Sequence, residues 1–221
     1  MMPTGAAWRS QPDFTAMAAS LTDLKKTQLY SEELGIALSR DSDREYFKWF
    51  LASLLFGSRI SETIARRTYG AFARHKLLSP RKIIQAGWSF LVYPIMWEGG
   101  YVRYDGRKSS QILRDCETLI SDYGGSLKAL HTAAESAEDL EDRLLAFFGV
   151  GPITANIFLR ELRPYWRHAD PEPLPRVADL AGSLGLDLAS FNRKTVTFTR
   201  VEAGLIRLSR KLRWPRSPGR S

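Results

Sequence analysis

Apolar side chains return every three or four positions along nearly all of this 221-residue chain, and that periodicity restricts its fold more than any other feature. Tyr46 to Phe56 is apolar almost all round, the mark of a helix buried on every side, and Asp43 stands in front of it as a cap. Ile60 to His75 is amphipathic and basic, and Ser79-Pro80 opens a further short helix with proline in its favoured first turn. A helix from about Lys108 to Tyr123 stops at Gly124-Gly125, and Ser136 to Asp139 fits a capping box ahead of Leu140, Leu144 and Phe147. Phe14 to Leu38, which Gly35 can break, then Val177 to Leu186 and Val201 to Leu212, complete the helical set. Residues 1–12 are small and polar and should fray, EGGYVRYDG at 98–106 reads as a loop, and the three prolines between Asp170 and Pro175 exclude regular helix there. Only Thr195 to Thr199 alternates like a strand, and a lone strand has nothing to pair with. The expectation is an all-α chain of about ten helices.

Several classes are excluded early. The longest apolar runs, Trp49 to Gly57 and Gly87 to Trp97, fall short of the roughly 20 residues that span a bilayer. No basic leader with an apolar core opens the chain, so the expected location is the cytoplasm, with no membrane partner. Cys116 is the only cysteine, which rules out an internal disulfide and a four-cysteine iron–sulfur cluster, and His75, His131 and His168 are scattered; neither metal nor cofactor is expected. The net charge of +8 sits at one end. Nine basic residues from Arg193 to Arg220 face a single acid, Glu202, an excess equal to that of the whole chain. Such a segment is either a surface for a polyanion or a solvated tail.

The most informative stretch is Leu144-Leu145-Ala146-Phe147-Phe148-Gly149-Val150-Gly151-Pro152-Ile153-Thr154-Ala155-Asn156-Ile157-Phe158-Leu159. Two helical patterns meet at Gly-Val-Gly, and the second begins with proline. Gly149 and Gly151 would permit positive φ and close approach of another chain, and Val150 would anchor the tip in the core. The first amides of the second helix have no intrahelical acceptor and sit at the positive end of its dipole, where a phosphate can be held, with the Thr154 hydroxyl as a further donor. A tight turn between helices with no ligand is the other reading.

The string FFGVGPITANIFL resembles the helix-hairpin-helix motif of the base-excision DNA glycosylases of the endonuclease III type. WFLASLLFGSRISE is similar to that family's apolar helix and the loop that follows it, and GGYVRYDGRKSSQIL to its glycine-aromatic-lysine segment, so the likeness covers residues 46 to 180, about 60% of the chain. It implies two helical lobes flanking a DNA cleft, one of residues 46–164 with the hairpin motif at about 138–163, the other of residues 1–45 and 165–221. The partner it implies is double-stranded DNA with a damaged or modified base, bound by a monomer. Breaking the base–sugar bond builds positive charge on the deoxyribose, and the family places an aspartate there; the matching acid is Asp170, with Glu172 as fallback. Members that also cut the strand carry a lysine where this chain has Ile153, and no lysine lies between Lys128 and Lys194, so release of a base without strand cleavage is expected. Ser58 and Arg59 fall in the loop that fills the gap left by a flipped base, and Tyr101, Tyr104 and Lys108 in the second matching loop. The expected DNA contacts are thus Gly149, Val150, Gly151, Ile153, Thr154, Ser58, Arg59, Tyr104 and Lys108. A binding module that keeps the hairpin and has lost the chemistry is the alternative.

Overall fold

The computed structural model describes residues 21–212. Every regular element among them is helical. The α-helices are α1 (Leu21–Lys25), α2 (Tyr30–Glu33), α3 (Asp43–Phe56), α4 (Glu62–Arg74), α5 (Pro80–Phe90), α6 (Trp97–Gly99), α7 (Asp105–Tyr123), α8 (Leu127–Thr132), α9 (Ala137–Leu145), α10 (Pro152–Leu162), α11 (Pro175–Ser183) and α12 (Val196–Lys211). Short 3₁₀ turns at Leu38–Arg40 and Leu188–Ser190 and a π-type turn at Leu91–Met96 join them. None of the described helices is long and apolar enough to cross a membrane.

Helix α3 is the centre of the packing, as its all-round apolar sequence requires. Trp49 is fully buried and its Nε1 donates to the Phe158 carbonyl of α10 at 3.0 Å. The Phe50 ring meets Phe147 and Phe158 edge-on, each at 5.5 Å, so both arms of the 144–159 segment rest on α3. One cluster of buried side chains runs from Leu24 to Ile206.

The two ends of the described chain lie together. A Cβ on Gly204 of α12 would stand 2.7 Å from both Leu24 Cδ2 and Thr27 Oγ1, so α1 and its exit turn approach α12 closely. Arg200 pairs with Glu32 at 2.6 Å and Arg207 with Glu33 at 2.7 Å across the same contact.

Four local expectations change. The last helix begins at Val196 rather than Val201: Thr195 caps α12, its side chain accepting from the Phe198 amide at 3.2 Å. With no neighbouring strand to pair with, the helix wins because it buries Phe198, Val201, Leu205 and Ile206 on one face. Of the expected Phe14–Leu38 helix, residues 14–20 lie outside the described residues, as does the segment expected to fray at 1–12, and the remainder splits into α1, α2 and a turn at Gly35 with φ +69°. Asp43 does not cap its own helix, whose N-cap position is Ser42; its carboxylate accepts from Ser126 Oγ (2.8 Å) and from the Lys128 amide (2.9 Å) at the start of α8. The capping box at α9 is half formed, because Ser136 Oγ accepts from Asp139 N while Asp139 turns back to the Glu135 amide. Gly124 ends α7 with φ +64° as expected.

Candidate nucleic-acid interface and the acid beside it

The hairpin occupies residues 146–151, between α9 and α10. Val150 is buried and its amide donates to the Phe147 carbonyl at 3.2 Å, which fixes the tip in the expected way. The expected positive φ is not there: neither glycine falls in the left-handed region, and Gly151 is extended at φ −106°, ψ 176°. The glycines answer a steric need instead. A Cβ on Gly149 would overlap Asp115 Oδ2, whereas around Gly151 the space is open. Gly151 sits at the N-cap position without a side chain, so the first-turn amides of Ile153 and Thr154 are left without an intrahelical or capping partner. Phe148 and Ile153 are exposed.

Thr154 is a correction. Its side chain is buried, and its Oγ1 occupies the place a Cβ on Gly57 would take, so it locks α10 onto the α3–α4 turn rather than reaching outward. Lys108 is another. It is buried on the inner face of α7, and its Nζ donates to the Leu54 carbonyl (3.3 Å) near the C-terminal end of α3, where helices carry unsatisfied carbonyls. Burial pulls its pKa down to about 8.

Beneath the hairpin lies Asp115, which sequence reasoning missed. Its side chain is buried, Oδ1 accepts from the Gly149 amide at 3.0 Å, and Oδ2 has no partner among the described residues. Burial raises its pKa to about 6 from an ordinary 3.8, against the opposing pull of the Gly149 amide and Lys108. A carboxyl raised in this way binds its proton more tightly in the folded state than in the unfolded chain. Its contribution therefore favours folding at low pH and is lost as pH rises from about 4 to about 6, on the order of 2–3 kcal/mol. Urea unfolding at pH 4 and pH 7 should show a smaller difference for Asp115→Asn than for the parent chain; equal differences would remove Asp115 from this role.

The α3–α4 turn presents one of its two expected contacts. Arg59 is exposed and makes no ion pair among the described residues. Ser58 is turned inward, its Oγ donating to Leu54 O at 2.9 Å and meeting the buried Tyr101 hydroxyl, so neither Ser58 nor Tyr101 offers a free polar face. Tyr104 is exposed at the N-cap position of α7 with φ +66°, and the Arg103 guanidinium lies 5.2 Å from its ring.

Asp170 lies on the segment that follows α10 and is tied back to it. Asn156, one turn into α10, donates from Nδ2 to the Glu172 carbonyl at 2.8 Å. Asp170 Oδ1 accepts from Arg163 Nε (3.1 Å) and Arg193 Nε (2.9 Å), while Oδ2 has no partner among the described residues and the side chain is 32% exposed. Arg163 is buried and also pairs with Glu202 and the Pro171 carbonyl. Lys194 Nζ donates to the carbonyls of Ala169 (2.7 Å) and Arg167 (3.0 Å), fixing the stretch before Asp170. The Glu172 side chain reaches outward, 82% exposed, and among the described residues its carboxylate pairs with Arg193 alone, at 2.7 Å. One carboxylate is thus oriented through one oxygen and presents the other, and the second is a surface ion pair.

No protein-family model matches the chain, and no curated protein sequence matches it. A solved structure does: the 3-methyladenine DNA glycosylase of H. pylori bound to 1,N6-ethenoadenine, with a TM-score of 0.52 over 85% of this chain and 100% of that one, at 13% sequence identity. This chain has a helical DNA-glycosylase fold.

Within that glycosylase fold five of the basic residues of the C-terminal segment have partners among the described residues. Arg193, Arg200, Arg207 and Arg210 pair with Asp170 and Glu172, Glu32, Glu33 and Glu62 respectively, and Lys194 serves backbone carbonyls. Arg213, Arg216 and Arg220 lie outside the described residues. Two surface hollows, one lined by His75, Lys82 and Phe90 and the other by Leu29, Gly35 and Tyr165, lie elsewhere and do not include Asp170.

Proposed function

We propose that the chain is a monofunctional DNA glycosylase that hydrolyses the N-glycosidic bond of a damaged or modified base in duplex DNA and leaves an abasic site, a step of base excision repair. The observation that carries this reading is the carboxylate of Asp170, anchored by two guanidinium groups at one oxygen and open at the other, on a segment hydrogen-bonded to the helix that begins at the glycine-flanked hairpin. The open amides at the start of α10 would hold a backbone phosphate. Asp170 would face the sugar of an extruded nucleotide, stabilise the positive charge that grows as the base departs, and orient the attacking water. Arg59 would fill the vacated stack. In this reading residues 46–164 form one lobe, residues 1–45 and 165–221 the other, and the strand passes between them.

Strand cleavage through a covalent adduct is not part of the proposal. Ile153 occupies the position of the family's lysine, and Lys194, the next lysine along the chain, has its amine committed to carbonyls. The test is a panel of duplexes carrying uracil, mismatched thymine, and alkylated, etheno, oxidised or deaminated purines. Strand breaks are expected only after hot alkali, with no adduct trapped by borohydride. Breaks without alkali together with a trapped adduct would show a lyase and refute the monofunctional assignment.

One observation favours the alternative of a binding module without chemistry. The same two arginines that orient Asp170 partly offset its charge where the sugar would sit. Tight duplex binding with no alkali-labile product for any base in the panel would establish that reading instead.

A further inference from the structure

Exposed aromatic side chains call for a partner when they gather in one place. Between residues 88 and 104 the chain exposes Trp88, Phe90, Tyr93, Trp97 and Tyr104. The stretch closes on itself: Trp88 Nε1 donates to the Gly106 carbonyl at 3.0 Å, and residues 91–96 pack on both α5 and α7. The rings of Tyr93 and Trp97 stand 5.6 Å apart, tilted by 56°, and these side chains are 65% and 62% exposed, so packing among the described residues does not account for them.

The charge around the rings narrows the partner. Arg103 lies over the Tyr104 ring, and Arg107 and Arg114, seven residues apart on α7, share its exposed face. The Arg114 guanidinium sits 4.1 Å from the ring of Phe148, next to Gly149, so the stripe runs from the aromatic cluster to the hairpin. From Tyr104 to Arg114 the helix rises about 15 Å, several nucleotides of a strand. Among neighbouring acids, Glu98 is held by Arg74 and His75, and Asp105 Oδ1 takes the Gly106 amide. Flat faces interleaved with guanidinium groups match a nucleic-acid strand, whose bases stack on rings while its phosphates meet the arginines. A closed duplex hides its base faces; an unpaired strand offers them.

We propose that residues 88–104 form a second DNA surface, one that stacks the bases of unpaired single-stranded DNA and is joined to the hairpin by the arginine stripe of α7. It goes beyond excision, resting on the proposed function only for the choice of DNA, and it directs the protein to bases lying beside melted or frayed DNA.

Fluorescence anisotropy with the full chain tests this, using a short oligothymidylate and a closed undamaged duplex at one salt concentration. The Tyr93→Ala/Trp97→Ala double variant should bind the oligothymidylate at least about tenfold more weakly, the usual scale for losing a stacking ring, with duplex binding and melting temperature unchanged. Trp97→Phe, which keeps a ring, should bind like the parent chain. Gly151→Ala should show the reverse pattern, losing duplex affinity and keeping the oligothymidylate. Parent-like oligothymidylate binding by the double alanine variant would overturn the proposal. So would a change of mass in sedimentation on removing the rings without loss of oligothymidylate affinity, which would make the patch a protein interface. Ring-dependent binding in a chain that excises no base would sustain this surface and refute the glycosylase reading alone.

Discussion

Asp170→Asn should lower single-turnover base excision by at least about a hundredfold while leaving the affinity for the same duplex nearly intact. The substitution keeps an oxygen able to accept from Arg163 Nε and Arg193 Nε, so the segment and its tie to α10 stay in place. What disappears is the negative charge, the feature a developing oxocarbenium ion needs and a ground-state duplex does not. The expected signature is therefore a loss in the chemical step with unchanged binding. Glu172→Gln serves as the counterpart. Its carboxylate is a surface group with a single partner among the described residues, and its removal should change the rate little. If Glu172→Gln abolished excision and Asp170→Asn did not, the acid would have been assigned to the wrong residue of the pair.

Gly149→Ala should destabilise the chain by about 1–3 kcal/mol and weaken duplex binding, although the hairpin requires no positive φ at that position. The added methyl meets the buried Asp115 carboxylate, which cannot swing away because its other oxygen holds the Gly149 amide. The hairpin must then lift, carrying the first-turn amides of α10 with it. Because the conflict is between two named groups, it should be relieved by shortening the partner. The Gly149→Ala/Asp115→Ala double variant should be more stable than the sum of the two single changes by more than about 1 kcal/mol. Additivity within about 0.5 kcal/mol would show that the glycine is needed for another reason. Gly151→Ala is the contrast: its surroundings are open, so stability should hold within about 0.5 kcal/mol, while the methyl should crowd the proposed phosphate at the first-turn amides and lower duplex affinity.

The hairpin was legible because everything that builds it is local. Two helical periods, a glycine on each side of one apolar residue, and a proline at the first helical position lie within sixteen consecutive residues, and the structure forms α9 and α10 on either side of them. The burial of α3 was legible for the same reason. Lys108, Thr154 and Ser58 were misread because their types suit a DNA contact equally well, and only the packing of α3, α7 and α10 decides that each faces inward. Composition left the basic C-terminal segment open between a polyanion surface and a solvated tail because charge counts carry no partners: Arg193 meets an acid 23 positions earlier, and Arg200 and Arg207 meet acids more than 160 positions away.

By itself, the order of residues determined that the described chain is helical, that one long helix stops at Gly124, and that a glycine-flanked bend precedes a helix with open amides, since these follow from backbone sterics and short-range periodicity. Only the tertiary structure decided which charges are spent on one another, why Gly149 is a glycine, and that among the described residues the partners of the Asp170 carboxylate gather on one oxygen. Those outcomes depend on side chains brought together from distant parts of the chain, and packing, not spacing, sets such distances.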